Sequence, residues 1–139
     1  MAEKTVLLKA LTPEAKAALG DNYYRIAKFP FRVGRESRTT VINGFIKSRR
    51  QANSVPNNDL YLVEAGALLN VSREHFLIDS QGGNYVLVDR GSVCGTIVEG
   101  ELVGEKRKGG SRQLSSHDVI VVGTSESKYI FKFLVTENS

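Results

Sequence analysis

One cysteine, no tryptophan, three prolines and two histidines leave several chemistries without their parts. Cys94 alone admits no internal disulfide framework, and with only His75 and His117 beside it a closed structural zinc site cannot be assembled. No apolar run approaches the roughly 18 residues of a membrane span, and Lys9 interrupts the short apolar stretch near the amino end that would otherwise form a signal-peptide core. Neither a metal nor a cofactor is expected, no membrane association is expected, and the sparse cysteine suits a reducing, cytoplasmic setting. A chain of 139 residues is expected to form one domain over 1–139. That length buries enough surface to fold without a disulfide or metal.

What is there in abundance is positive charge and short β-type segments. Nineteen Lys and Arg oppose fifteen Asp and Glu, a formal net of +4. The excess is local. Residues 35–50 and 103–112 together hold nine basic and two acidic side chains, a net of +7, which leaves −3 for the remainder. A basic chain raises the question of nucleic acid, but the missing Trp, the lack of aromatics interleaved with basic residues and the acidic remainder argue against it.

Strand signals dominate the chain. Thr5 to Leu11 is β-branched and aliphatic, and Tyr23 to Val33 alternates aromatic and apolar residues with Arg25, Lys28 and Arg32. Between them, Thr12 as N-cap, Pro13 at the first helical position and Gly20 as a stop predict one or two helical turns in the first loop. Further strands are expected over 59–64, 74–79, 84–89, 96–99, 118–122 and 128–135, most of them separated by turn signals such as SQGGN and DRGS. Short strands at this spacing predict an all-β fold, an antiparallel β-sandwich. Residues 36–57 are expected as a long basic loop, and the second basic segment is also expected to lie on loops.

Three groups of residues carry candidate chemistry. Gly34-Arg35 closes a strand, where glycine permits close approach and Arg offers a planar fork of donors suited to an oxyanion. Ser72 and Arg73 supply further donors at a loop end, while His75, at the start of an apolar run, is better placed to bond backbone and brace that loop. Asp89 to Gly100 (DRGSVCGTIVEG) is a glycine-rich connection carrying the hydroxyls of Ser92 and Thr96. His75, Asp89 and Cys94 include the residue types of a cysteine nucleophile with its base and orienter, but residue types are not geometry, and no catalytic residue is expected.

Taken together, G-R, then S-R-x-H, then D-x-x-S-x-x-G-T within an all-β pattern resembles the forkhead-associated (FHA) domain family. The resemblance runs through Arg32-Val33-Gly34-Arg35, Asn58-Asp59-Leu60, Ser72-Arg73-Glu74-His75, Asp89 to Thr96 with Val98-Glu99-Gly100, then Leu114 with Asp118-Val119-Ile120 and Val122-Gly123. It implies an FHA/SMAD-like β-sandwich of about eleven strands that binds a phosphothreonine-containing protein or peptide through loops at one end. Arg35 and Ser72 would contact the phosphate and Arg73 would support it or a neighbouring peptide residue. Cys94, Gly95 and Thr96 would lie against the peptide, with Gly34, His75 and Ser92 holding the site in shape. The phosphothreonine brings about −1.5 to −2 charges and three acceptor oxygens, which match an Arg fork plus a hydroxyl.

Two features depart from the family. Cys94 stands where it usually has Asn before Gly-Thr, and a thiol is a weak donor and acceptor, so peptide anchoring beside the phosphate is expected to be weaker or supplied elsewhere. The segment 36–57 is longer than the family's usual connection, and either reads acidic residues flanking the phosphothreonine or is a mobile insertion. The alternative function is an FHA-like scaffold that needs no phosphate.

Overall fold

The computed structural model describes residues 3–36, 39–42, 45–48, 57–64 and 69–138. Eleven strands form two sheets, with a separate two-stranded hairpin. The first sheet is ordered β10-β9-β12-β13-β1-β2, built from Glu101–Val103, Thr96–Val98, Val119–Val122, Ile130–Asn138, Glu3–Ala10 and Tyr23–Ile26. The second is ordered β11-β8-β7-β3-β6, from Gly110–Leu114, Asn84–Asp89, Phe76–Gln81, Phe31–Arg35 and Leu60–Leu62. The hairpin pairs β4 (Thr39–Ile42) with β5 (Phe45–Ser48). The β-sandwich expected from the strand signals is therefore present. Its pairs are antiparallel apart from β3 and β6, which run parallel with Val33 opposite Leu60.

Period-2 patterning explains which faces meet. In β7, Phe76 and Ile78 are buried while Leu77 and Asp79 are only partly covered, and in β12 Ile120 and Val122 alternate with Val119 and Val121 in the same way. Phe76, Phe131 and Phe133 are the largest fully buried side chains and fill the space between the sheets with Leu8, Leu62 and Leu87. Each such side chain contributes on the order of 1.5–3 kcal/mol by leaving water.

The first loop holds the expected helix, α1 (Pro13–Leu19). Thr12 Oγ1 accepts from the Ala15 N–H at 3.2 Å, and Gly20 ends the helix at φ 79°. The segment 23–33, expected as one strand, is two. β2 ends at Ile26 in the first sheet, and after a cis Phe29–Pro30 peptide β3 begins in the second. Alternation alone does not register Pro30, which has no N–H to donate to a ladder.

Four strands arise where loops were expected. β4 and β5 lie inside the segment 36–57, of which Arg38, Arg49 and Arg50 fall outside the described residues. β10 and β11 lie in and beside the second basic segment. Neither carries a hydrophobic alternation, and their partners create them. β10 folds back on β9 through Glu99 and Gly100, both at positive φ (49° and 80°), the geometry of a two-residue hairpin turn. Among the described residues no helix is long and apolar enough to cross a membrane.

Candidate functional site

At one end of the sandwich, the end of β3 meets the loops 69–75, 90–95 and 104–109. The frame beneath them is built on Asp89, the last residue of β8, which is 3% exposed. Its Oδ1 accepts from the N–H groups of Gly91 (3.0 Å) and Ser92 (2.8 Å), and its Oδ2 accepts from the hydroxyls of Ser92 (2.6 Å) and Thr96 (2.9 Å). Ser92 Oγ in turn accepts from the Gly95 N–H at 3.0 Å. A buried carboxylate is stable only when its oxygens are satisfied, and here the turn that follows the strand satisfies them. A Cβ on Gly95, at φ 83°, would lie 2.2 Å from the Gly104 carbonyl oxygen, so glycine is required for the two loops to close up.

His75 ties this frame to the neighbouring loop. Its Nδ1 accepts from the Ser72 N–H at 2.9 Å, and its Nε2 lies 2.7 Å from the Gly95 carbonyl. Because a backbone N–H can only donate, the ring proton belongs on Nε2, where it donates to Gly95. The ring is fully buried, and burial pushes its pKa below 6.5, opposed by the bond to Gly95 and the charges of Asp89 and Glu64.

Above the frame lies an open cleft of about 490 Å³. Arg35, Arg73, Arg90 and Arg107 line it together with Ser72, Asn57 and Glu74. Arg35 is held at both ends of its chain: its N–H donates to the Ser72 carbonyl and its Nε to the Val71 carbonyl, each at 2.9 Å. Its terminal nitrogens have no protein partner among the described residues. Ser72 Oγ accepts from the Val93 N–H at 3.1 Å, which leaves the hydroxyl proton available to donate. Arg90 is more committed. Its Nη1 donates to Asn58 Oδ1 at 2.6 Å, and its Nη2 donates to the Asn57 carbonyl at 3.0 Å and pairs with Glu74 at 3.4 Å. Burial lowers the Arg90 pKa from its ordinary value, with Glu74 opposing. Four guanidiniums against one carboxylate leave the described lining strongly positive, and the arginines offer only donors with the Ser72 hydroxyl proton beside them, a chemistry that suits an anion.

The sequence-derived residues divide accordingly. Arg35, Ser72 and Arg73 come together on the cleft. Cys94 follows the cleft residue Val93, with Sγ 3.7 Å from the Leu69 carbonyl oxygen. Gly95 and Thr96 are buried in the frame, the Thr96 hydroxyl being used by Asp89. Gly34, His75 and Ser92 stand where they hold the loops: a Cβ at Gly34 would meet the Arg73 carbonyl oxygen at 2.0 Å. Both nitrogens of His75 and both oxygens of Asp89 are occupied by partners other than Cys94, so these three are not assembled as base, orienter and nucleophile. No group of His, Cys, Asp and Glu able to hold a metal occurs among the described residues.

Residue types alone did not single out Arg90, Arg107 or the bracing role of Asn58. Arg90 sits at an unspecified position of the D-x-x-S spacing. Arg107 had a signal in the local charge excess, but nothing along the chain says which end of the sandwich that loop reaches. Arg112, from the same segment, turns elsewhere and pairs with Glu101 at 3.1 Å and Asp118 at 3.6 Å.

No curated protein matches this chain by sequence. Among solved structures, the kinase-interacting FHA domain of the Arabidopsis kinase associated protein phosphatase superposes with a TM-score of 0.64 at 19% identity, covering 100% of this chain and 99% of that one. The FHA domain of a Chlamydia trachomatis protein gives 0.56 at 19% identity, covering 94% and 96%. Mycobacterium tuberculosis EmbR, solved in complex with a low affinity phosphopeptide, gives 0.60 at 21% identity, covering 97% of this chain but only 25% of that chain. At such identities these likenesses establish the fold. The family follows from the sequence: the FHA domain model matches residues 31–123, about two thirds of the chain and the span that carries Arg35, Ser72, His75, Asp89 and Thr96. This chain belongs to the FHA domain family.

Proposed function

We propose that this chain, acting as one unit over residues 1–139, is a non-catalytic module that binds phosphothreonine on a partner protein. The observation that carries the reading is the cleft in which Arg35, pinned through its N–H and Nε, has terminal donors without a partner among the described residues, beside the hydroxyl of Ser72. An immobilised guanidinium loses little side-chain freedom when it takes up a phosphate, and charge-assisted bonds of this kind are worth about 1.5–3 kcal/mol each. Arg73 adds charge at the rim. EmbR, of whose chain this fold covers 25%, was solved in complex with a phosphopeptide, which supports the reading. The choice of threonine over serine rests on the family resemblance.

A peptide array comparing phosphothreonine, phosphoserine and unmodified threonine in matched sequences tests the reading. Capture restricted to phosphothreonine is expected, and equal capture of the unmodified peptides would overturn it. Cys94 favours the second reading, a phosphate-independent scaffold: its thiol faces the Leu69 carbonyl across 3.7 Å and offers a bound peptide little hydrogen bonding. Equal capture of all three peptides is the outcome expected of that scaffold.

A further inference from the structure

The cleft holds more positive charge than one phosphothreonine neutralises, and part of that charge stands on an unfavourable backbone. Lys106 and Arg107 are consecutive non-glycine residues in the left-handed region, at φ 52° and 66°. Glycine would occupy either position without steric cost, and the flanking turns do use it at Gly104 and Gly109, at φ 68° and 73°. Strained residues of this kind persist when their surroundings over-determine them. Here the surroundings are two backbone hydrogen bonds at 2.9 Å, from the Lys106 N–H to the Val93 carbonyl and from the Arg107 N–H to the Ser92 carbonyl. They strap the loop to the same turn that Asp89 organises. The result is that Arg107 lines the cleft opened by Arg35, exposed and without a hydrogen-bond or ion-pair partner for its guanidinium among the described residues.

We propose that Arg107 is a specificity residue that reads a second anionic group, a carboxylate or another phosphate, on the ligand whose phosphothreonine is held by Arg35 and Ser72. The inference rests on the reading of the Arg35 cleft given above and deepens it to a ligand class, phosphothreonine peptides carrying an additional negative charge. Arg90 is less suited to this role, because three of its five N–H donors are taken by Asn58, Asn57 and Glu74 and its charge is partly offset by Glu74. Among the described residues no bond supports a structural role for the Arg107 side chain, and its backbone bond to Ser92 would survive replacement by glycine.

The test uses the full chain and synthetic peptides with a central phosphothreonine in an otherwise neutral sequence. They carry no further charge, one Asp scanned along either flank, or a second phosphothreonine scanned likewise, and affinity is read by fluorescence anisotropy. The native protein is expected to favour the best doubly anionic peptide by about tenfold over the neutral-flank peptide. R107G is expected to reduce that preference to within about twofold, weakening the doubly anionic peptide far more than the neutral-flank one, and R107K to keep part of it. The R107G protein should melt no lower than the native one, since glycine relieves the left-handed strain, so a lost preference does not report a lost fold. The Asp and phosphate arms identify which anion is read. A native protein indifferent to the added charge, or an R107G protein that keeps the preference, overturns the role of Arg107 and leaves the Arg35 reading standing. A native protein that binds no phosphothreonine peptide better than its unphosphorylated form overturns the Arg35 reading, and this one with it.

Discussion

The Ser72 N–H donates to Nδ1 of His75 at 2.9 Å, three residues along the same loop, and this leaves Nε2 to donate to the Gly95 carbonyl at 2.7 Å. One neutral ring thereby joins the loop that carries Ser72 to the turn that carries Cys94. A charged imidazolium would bring a second proton up against the Ser72 N–H, and its burial would be costly.

Stability is accordingly expected to depend on pH. Burial holds the folded-state pKa of His75 below 6.5, so the unfolded chain takes up this proton first. The contribution is complete above 6.5, declines as pH falls below that value, and is fully lost once pH passes the lowered folded-state value. Urea unfolding from pH 7.5 down to about 5 should show this fall, and His75→Gln should flatten it. A native profile that H75Q leaves unaltered would contradict the assignment.

Arg35 should dominate phosphopeptide affinity. Removing a fixed guanidinium that makes charge-assisted bonds is expected to weaken binding about a hundredfold, or ~2.8 kcal/mol, in Arg35→Ala. Arg35→Lys keeps the charge and loses the fork, and should fall between. Titration calorimetry against a phosphothreonine peptide measures both.

Gly34→Ala should be destabilising although nothing requires an unusual φ there. The added methyl would lie 2.0 Å from the Arg73 carbonyl oxygen and 2.6 Å from Asn58 Nδ2, and Asn58 is itself holding Arg73 O and Arg90. Overpacking against backbone is expected to cost about 1–3 kcal/mol, with a loosened cleft and reduced phosphopeptide affinity as a second readout.

Asp89→Asn should cost about 2–4 kcal/mol in denaturant unfolding. One of its acceptor oxygens becomes a donor facing the N–H groups of Gly91 and Ser92 or the hydroxyls of Ser92 and Thr96. Because Ser92 and Gly95 hang from that carboxylate, loss of affinity should accompany the loss of stability.

Cys94→Asn should tighten phosphopeptide binding. An amide at this position can donate to the Leu69 carbonyl more strongly than a thiol at 3.7 Å and still offer a carbonyl or N–H to a peptide backbone. Affinity measured against one phosphothreonine peptide before and after the exchange checks this, and unchanged or weaker binding would show that the cysteine is not a simple loss.

Residue order alone determined the strand alternation that pairs Phe76 with Ile78 and Ile120 with Val122 on buried faces, the cap of α1, and the spacing that brought Arg35, Ser72 and His75 into one motif. These are local properties, since side-chain period, turn residues and short motifs are written along the chain. The tertiary structure decided which loops share an end of the sandwich. It placed Arg90 and Arg107 on the Arg35 cleft, sent Thr96 inward to Asp89, and formed β10 and β11 from segments with no strand pattern of their own. A strand supplied by its neighbour's unpaired N–H and C=O groups, and a cleft assembled from residues as far apart as 35 and 107, depend on distances through space that no periodicity records.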